Sequence, residues 1–149
     1  MIQDDRNDLK ADFSKSDSFT EGIIRVFYDV YNELGYGFLE SVYREAMRLA
    51  LSQAGFMIES EVSIPVRFRG ELVGVFRADL IVDRAVLLEL KTCDALNRAH
   101  DSQTLNYLKA TTIEVALLFN FGPEPKVRRL TMYNEHKAKR SVRSAVDHR

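Results

Sequence analysis

The sequence predicts a single mixed α/β domain in which two helices precede an antiparallel meander, a crossover helix and two final strands. Three observations indicate this class: apolar residues recur at helical spacing up to residue 54, they alternate along 62–68, and an apolar run at 115–121 follows a further helical segment. The length of 149 residues suits one compact domain.

The two helices are predicted over residues 18–34 and 39–54. The stretch 18–21 (Ser-Phe-Thr-Glu) has the form of a capping box, and Gly35 and Gly55 suit the two helix ends. The inward positions of the first helix are expected to be Ile23, Phe27, Val30 and Leu34. Those of the second are expected to be Val42, Ala46, Leu49 and Ala50.

The pattern then changes to a period of two, which indicates a half-buried strand over 62–68. Gly70-Glu71 is a plausible hairpin turn, and the next strands are predicted at 72–82 and 85–92. A helix over 95–110 separates the third strand from the apolar run, so those two strands should be parallel neighbours joined by a right-handed crossover. A last short strand is expected at 127–132.

Composition divides the chain into three segments and excludes several classes of protein. Residues 1–17 are expected to be a flexible leader, 18–134 the domain, and 135–149 a basic tail. Acidic and basic side chains number 12 and 6 in residues 1–65, but 10 and 15 in residues 66–149. The basic second half, with Lys126, Arg128 and Arg129, could bind phosphates. A basic tail that is simply solvated explains the same charge distribution equally well.

Cys93 is the single cysteine, so an intrachain disulfide and zinc sites built on paired cysteines are excluded. The first residues lack the pattern of a secretory signal, and no apolar stretch approaches the roughly 20 residues that span a membrane. We therefore expect a cytoplasmic protein without a membrane partner.

Three charged residues stand out in strands that are otherwise apolar. Glu89 and Lys91 are two apart and share one face of their strand, while Asp79 lies on the preceding strand. If the connection is the three-residue loop 83–85, Val82 pairs with Val86 and Asp79 falls opposite Glu89. A two-residue loop would place Leu88 there instead.

Two opposed carboxylates repel each other unless one is protonated or a cation lies between them. Mg²⁺ takes hard oxygen ligands, commonly one or two carboxylates plus water, and it neutralises charge on phosphates. A neighbouring lysine could hold the attacking water or stabilise the oxyanion. The pattern therefore predicts a Mg²⁺ (or Mn²⁺) site for phosphate chemistry.

These residues resemble a known signature. Arg77-Ala78-Asp79 followed by Glu89-Leu90-Lys91 is similar to that of the PD-(D/E)XK nuclease superfamily, with Ala78 where the name has Pro. The stretch 37–43 (Gly-Phe-Leu-Glu-Ser-Val-Tyr) resembles the motif of its GxxExxY branch, and the resemblance extends over residues 18–133. It implies a restriction-endonuclease-like αβββαβ core, Mg²⁺-dependent hydrolysis of phosphodiesters, and DNA or RNA as substrate.

The resemblance also implies roles for individual residues. Asp79 and Glu89 would be metal ligands and Lys91 the catalytic lysine. Glu40 and Tyr43 share a helical face, where Glu40 would add a carboxylate near the metal and Tyr43 would orient it. Gln103 would contact the water or the phosphate. Glu40 could instead be a first-turn acid favoured by the helix dipole, Lys91 a solvated strand residue and Gln103 an ordinary helix-surface residue.

Three functions remain open from the sequence. The leading one is a metal-dependent nuclease. The second is a catalytically weak or inactive module of the same fold that binds nucleic acid or a protein partner. The third is a regulatory subunit that docks through its first two helices, in a homodimer or a larger complex.

Overall fold

The structure is a computed structural model that describes residues 2–137, with side chains from residue 17 onward. Its order is α1 (Ile2–Leu34), α2 (Glu40–Gln53), β1 (Ile58–Phe68), β2 (Glu71–Val82), β3 (Val86–Lys91), α3 (Arg98–Lys109), β4 (Val115–Asn120) and β5 (Lys126–Thr131). A short 3₁₀ turn, Asn134–His136, follows. Residues 138–149, most of the predicted basic tail, lie outside the described part of the chain.

The five strands form one sheet in the order β1-β2-β3-β4-β5. β3 and β4 pair in parallel and the other neighbours are antiparallel, which confirms the predicted mixed sheet and its crossover through α3. The described helices include none that is long and apolar enough to cross a bilayer.

The sheet has a hydrophobic core on each face. On one side, α1 and α2 cover Leu88 and Leu90 of β3. On the other, α3 covers Leu87. Since side chains alternate along a strand, Glu89 and Lys91 belong to the face that carries α3. The apolar positions of β3 thus fix the orientation of its two charged residues.

The loop between β2 and β3 has three residues, which is the length required to place Asp79 opposite Glu89. Val82 pairs with Val86, and Leu80 pairs with Leu88. Asp83 and Arg84 both have positive φ, and the Asp83 carboxylate accepts a hydrogen bond from the amide of Met57 at 2.7 Å. This tight turn places Asp79 beside Glu89 at the next step of the pairing.

The inward face of α2 differs from the predicted one. Its buried residues are Tyr43, Met47 and Leu51, whereas Val42 and Leu49 are 39% and 51% exposed. Ala46 and Ala50 pack against the core as predicted, but the prediction was wrong for the other two positions. Two apolar stripes compete on this helix, and the stripe containing the large Tyr43 and Met47 side chains fills the space beside α1. The rotation directs the face of Glu40 and Arg44 toward the sheet.

Two further predictions need correction. The hairpin turn is Arg69-Gly70 rather than Gly70-Glu71, because Phe68 pairs with Glu71 and both turn residues have positive φ. Helix α1 begins at Ile2, so Ser18 lies inside it rather than capping it. Whether residues 1–17 act as a separate leader stays a prediction.

Candidate active site

The site lies where β2 and β3 diverge, next to the first turn of α2 and one face of α3. The regular pairing of the two strands stops at Leu80 and Leu88. Beyond it, side chains replace backbone partners: the amide of Asp79 donates to Glu89 Oε1 at 3.1 Å, and the amide of Leu90 donates to Asp79 Oδ2 at 2.8 Å. Each carboxylate therefore accepts a hydrogen bond from the other strand.

Glu89 is the most deeply buried charged residue of this group, at 3% exposure. Burial, followed by the charge of Asp79, raises the pKa of the Glu89 carboxyl to about 9, although the Asp79 amide and Lys91 oppose the shift. The repulsion between the two carboxylates, which the sequence predicts, is the second cause of this shift. Desolvation is the larger cause, because an ion in the low-dielectric interior loses its hydration.

Lys91 is held by α3. Its Nζ donates a hydrogen bond to Gln103 Oε1 at 2.9 Å. The predicted contact of Gln103 with water or phosphate stays a prediction. Gln103 also bonds the hydroxyl of Tyr107, whose pKa is raised to about 12 by burial and then by the charge of Glu89.

Tyr107 was not predicted from the sequence to be a site residue, although its position one turn after Gln103 on α3 was a usable signal. Because its hydroxyl keeps its proton throughout the neutral range, it presents a hydrogen-bonding group beside the carboxylates without adding a charge.

Glu40 is the first residue of α2, and its carboxylate is within electrostatic reach of the other site residues. Burial and then the charge of Asp79 raise the pKa of Glu40, while Lys91 and Arg44 lower it. The preceding N-cap, Leu39, provides no side-chain cap, so Glu40 also serves as the first-turn acid of the helix. The two interpretations of Glu40 are therefore compatible.

Tyr43 supports the loop before α2. Its ring is fully buried and stacks on Phe121, with ring centroids 4.3 Å apart. Its hydroxyl donates to the carbonyl of Gly35 at 2.6 Å and accepts from the amide of Phe38 at 3.2 Å. Tyr43 thus fixes the loop that leads into Glu40, which is a more indirect way of placing that carboxylate than the predicted side-chain orientation.

Arg44, also missed from the sequence, contacts the first of the predicted ligands. Its Nη1 lies 3.4 Å from Asp79 Oδ1, and its Nη2 lies 3.4 Å from Glu61 Oε1. The spacing of Glu40 and Arg44, four residues apart on one helix, was a usable signal that they share a face. A helix rotated to bury Val42 and Leu49 would not have suggested this contact.

The end of β4 fixes the end of β3. The buried Asn120 side chain accepts from the amides of Cys93 and Gly122 and donates to the carbonyl of Cys93. A Cβ on Gly122 would lie 1.9 Å from that carbonyl oxygen, so only glycine fits. We call these contacts of Asn120 with Cys93 and Gly122 the Asn120 clasp. The clasp fixes the backbone of Cys93, two residues beyond Lys91.

The family model for the PD-(D/E)XK nuclease superfamily matches residues 17–130. The chain belongs to the PD-(D/E)XK nuclease superfamily. A search of curated proteins found no match.

A solved structure titled "Crystal structure of SSO0001" matches with a TM-score of 0.46 and 16% identity, over 62% of this chain and 50% of that one. The chain thus spans half the length of that protein. The mixed five-stranded sheet with its flanking helices is consistent with the restriction-endonuclease-like fold that the superfamily implies.

Members of the PD-(D/E)XK superfamily generally use divalent metals, so the donor set of this member needs a test. Among the side chains of residues 17–137, no group of three or more His, Cys, Asp or Glu is arranged to hold a metal ion. The two strand carboxylates nevertheless fit a hard cation, since Mg²⁺ commonly uses one or two carboxylates and keeps several waters.

The basic residues predicted to meet phosphates in this nuclease-superfamily domain are paired with acids. Lys126 lies 3.2 Å from Glu124, Arg128 pairs with Asp101, and Arg129 pairs with Asp17. These pairs reduce the positive field of β5. A phosphate-binding surface on this strand would have to compete with them.

Proposed function

We propose that this domain is a divalent-metal-dependent nuclease of the GxxExxY branch, which hydrolyses phosphodiester bonds of DNA or RNA. The observation that carries the proposal is the convergence of Asp79, Glu89 and Lys91 at the divergence of β2 and β3. It is supported by the hydrogen bond that each acid accepts from the backbone of the opposite strand and by the bond from Lys91 Nζ to Gln103. Glu40, from a separate element, faces the same group.

In this proposal, Asp79 and Glu89 hold Mg²⁺ or Mn²⁺, and Glu40 provides a further carboxylate near it. The cation supplies charge neutralisation at the phosphate and makes water more nucleophilic at neutral pH. The protein supplies the positions of the ligand groups. The hydrogen bonds from the Asp79 and Leu90 amides hold the two carboxylates in place before any ligand arrives.

Lys91 acts on the charge that develops during hydrolysis. A water oxygen forms a bond to phosphorus and gives up a proton, the bond to the leaving oxygen breaks with its electron pair, and that leaving oxygen takes up a proton. The Lys91 ammonium stabilises the negative charge on the phosphate oxygens during this exchange. Gln103 and the Asn120 clasp keep the lysine and its strand end in a fixed position.

The direct test is incubation of the purified protein with end-labelled single- and double-stranded DNA and RNA, in Mg²⁺, Mn²⁺ or EDTA. We expect cleavage of at least one substrate with a divalent cation and none in EDTA. Asp79→Asn should abolish cleavage, while the exposed Glu45→Gln should not. Absence of cleavage under all conditions, or equal cleavage by Asp79→Asn, would refute the proposal.

A second candidate is a binding module that keeps this fold without turnover. One observation favours it: the β1–β2 hairpin exposes apolar side chains, namely Phe68, Leu72, Val73 and Val75. Such a surface is typical of a partner contact, in a homodimer or a larger complex. Nucleic-acid binding without cleavage, or a stable dimer without either activity, would favour this function.

A further inference from the structure

Arg44 occupies one side of the Asp79 carboxylate. Its guanidinium bridges two acids, with Nη1 3.4 Å from Asp79 Oδ1 and Nη2 3.4 Å from Glu61 Oε1. The side chains of Arg44 and Asp79 are only 22% and 12% exposed, so water screens this pair less than it screens a surface ion pair. Arg44 is therefore a resident cation of the site.

Glu61, the second anchor of Arg44, has an unusual backbone. Its φ is +50°, a left-handed conformation that non-glycine residues seldom adopt. It lies on β1 between two residues that pair with Leu80 and Ala78, directly across from Asp79. From this position the Glu61 carboxylate reaches the guanidinium, with Oε1 3.4 Å from Arg44 Nη2. Arg44 is thus held beside Asp79 from two strands.

The other cation of the site is placed differently. Lys91 Nζ donates its hydrogen bond to Gln103 on α3 and not to Asp79. The partners of the two Asp79 oxygens are Arg44 and the Leu90 amide. Arg44, in contrast, contacts Asp79 Oδ1 itself. A divalent cation at that carboxylate would meet the positive charge of the guanidinium at close range, and like charges at such distances repel strongly.

We propose that Arg44 is the internal counter-ion of Asp79, and that a divalent cation must displace it from this carboxylate in order to bind. Arg44 thereby sets the cation concentration at which the site fills, and it stabilises the cation-free domain. This inference rests on the proposed function in so far as Asp79 binds a metal. Its test measures binding rather than nuclease activity.

The experiment compares wild type with Arg44→Met and Arg44→Lys by calorimetric titration of Mn²⁺ and by thermal denaturation with and without Mn²⁺. Arg44→Met should bind Mn²⁺ on the order of tenfold more tightly, because a repelling charge has been removed. Its cation-free melting temperature should fall, since Asp79 loses its partner, and Mn²⁺ should raise that temperature more than in wild type. Arg44→Lys keeps the charge and should stay near wild type.

The matched control is Arg48→Met, one turn further along α2. Arg48 pairs with Glu45 at 3.0 Å on the exposed side of the helix, so its removal should change neither Mn²⁺ affinity nor the Mn²⁺-dependent stabilisation. If Arg44→Met does not fold, Arg44→Gln is titrated in its place.

The outcomes separate the two proposals. Mn²⁺ binding by wild type with equal or weaker binding by Arg44→Met overturns the counter-ion inference and leaves the nuclease proposal standing. Mn²⁺ binding by Arg44→Met but not by wild type supports the inference in its strongest form. Binding by neither protein overturns both proposals.

Discussion

Asp79 on β2 and Glu89 on β3 face each other on neighbouring strands, and each accepts a hydrogen bond from the backbone of the other strand. The Asp79 amide donates to Glu89 Oε1 at 3.1 Å, and the Leu90 amide donates to Asp79 Oδ2 at 2.8 Å. These two bonds replace the regular strand pairing, which ends one residue earlier at Leu80 and Leu88. The acids therefore have a structural role in the cation-free protein as well as the proposed ligand role, and substitutions must keep their hydrogen-bonding capacity.

Asp79→Asn and Glu89→Gln should lose Mn²⁺ binding and nuclease activity together. Both amide side chains retain an oxygen that can accept the backbone hydrogen bond, so the fold should survive. Calorimetric titration, activity assays and circular dichroism on the same samples would check this. Unaltered Mn²⁺ affinity in both variants would remove the metal-ligand assignment.

Lys91→Ala should separate metal binding from turnover. Lysine is not a ligand, so Mn²⁺ affinity should stay or rise slightly, while turnover falls on the order of 10²–10³-fold as for other preorganised oxyanion donors. Gln103→Ala, which removes the partner of Nζ, should give a smaller loss in turnover. A Lys91→Ala variant with wild-type turnover under saturating Mn²⁺ would exclude the lysine from catalysis.

The stability of the cation-free domain should fall as pH rises from about 4.5 toward 9. Folded Glu89 keeps its proton to about pH 9, whereas the unfolded chain releases it near the ordinary value of 4.5. Between these values the folded state binds more protons, so the free energy of unfolding decreases with pH, by at most roughly 1.4 kcal/mol per pH unit.

Glu89→Gln should flatten this dependence and stabilise the cation-free protein at pH 8. Urea denaturation at pH 5.5, 7 and 8.5 in EDTA would measure both effects. A pH profile that is the same for wild type and Glu89→Gln would show that burial of this carboxyl does not control the stability.

Gly122→Ala should destabilise the domain by at least about 2–3 kcal/mol. The added Cβ would lie 1.9 Å from the Cys93 carbonyl oxygen. Neither residue can move away easily, because the Asn120 side chain is hydrogen-bonded to the backbone of both Cys93 and Gly122. Gly74→Ala is the matched control, because its Cβ would meet Val66 only at 4.0 Å. Urea denaturation of the two variants should differ clearly; equal stabilities would mean that the clasp adapts at little cost.

Nucleic-acid affinity should decrease with rising salt, since phosphate contacts release counterions. Because Lys126, Arg128 and Arg129 are paired with acids, we expect residues 138–149 to supply a large part of the salt slope. A truncation should end at Lys137, whose buried Nζ donates to the carbonyls of Thr111 and Ile113. If the truncated protein keeps wild-type affinity and slope, the tail does not contact phosphate.

The sequence alone determined the order of elements and the parallel pairing of β3 with β4, and it reduced the register of β2 against β3 to two alternatives. The determined features depend on local information, such as the alternation of Leu88 and Leu90 with Glu89, whereas the three-residue loop after Val82 was established by the structure. The period of an apolar pattern is a property of a short segment, so it can be read without knowing what packs against that segment. The residues proposed for the site follow from the same register.

Only the tertiary structure decided what surrounds those residues. The rotation of α2 depends on which of two apolar stripes fits the space beside α1, and that choice buries Tyr43 and exposes Leu49. The contacts of Asp79 with Arg44, and the burial that raises the pKa of Glu89, follow from this packing. Charge interactions and desolvation act through space between distant segments, so a pattern along the chain contains no record of them.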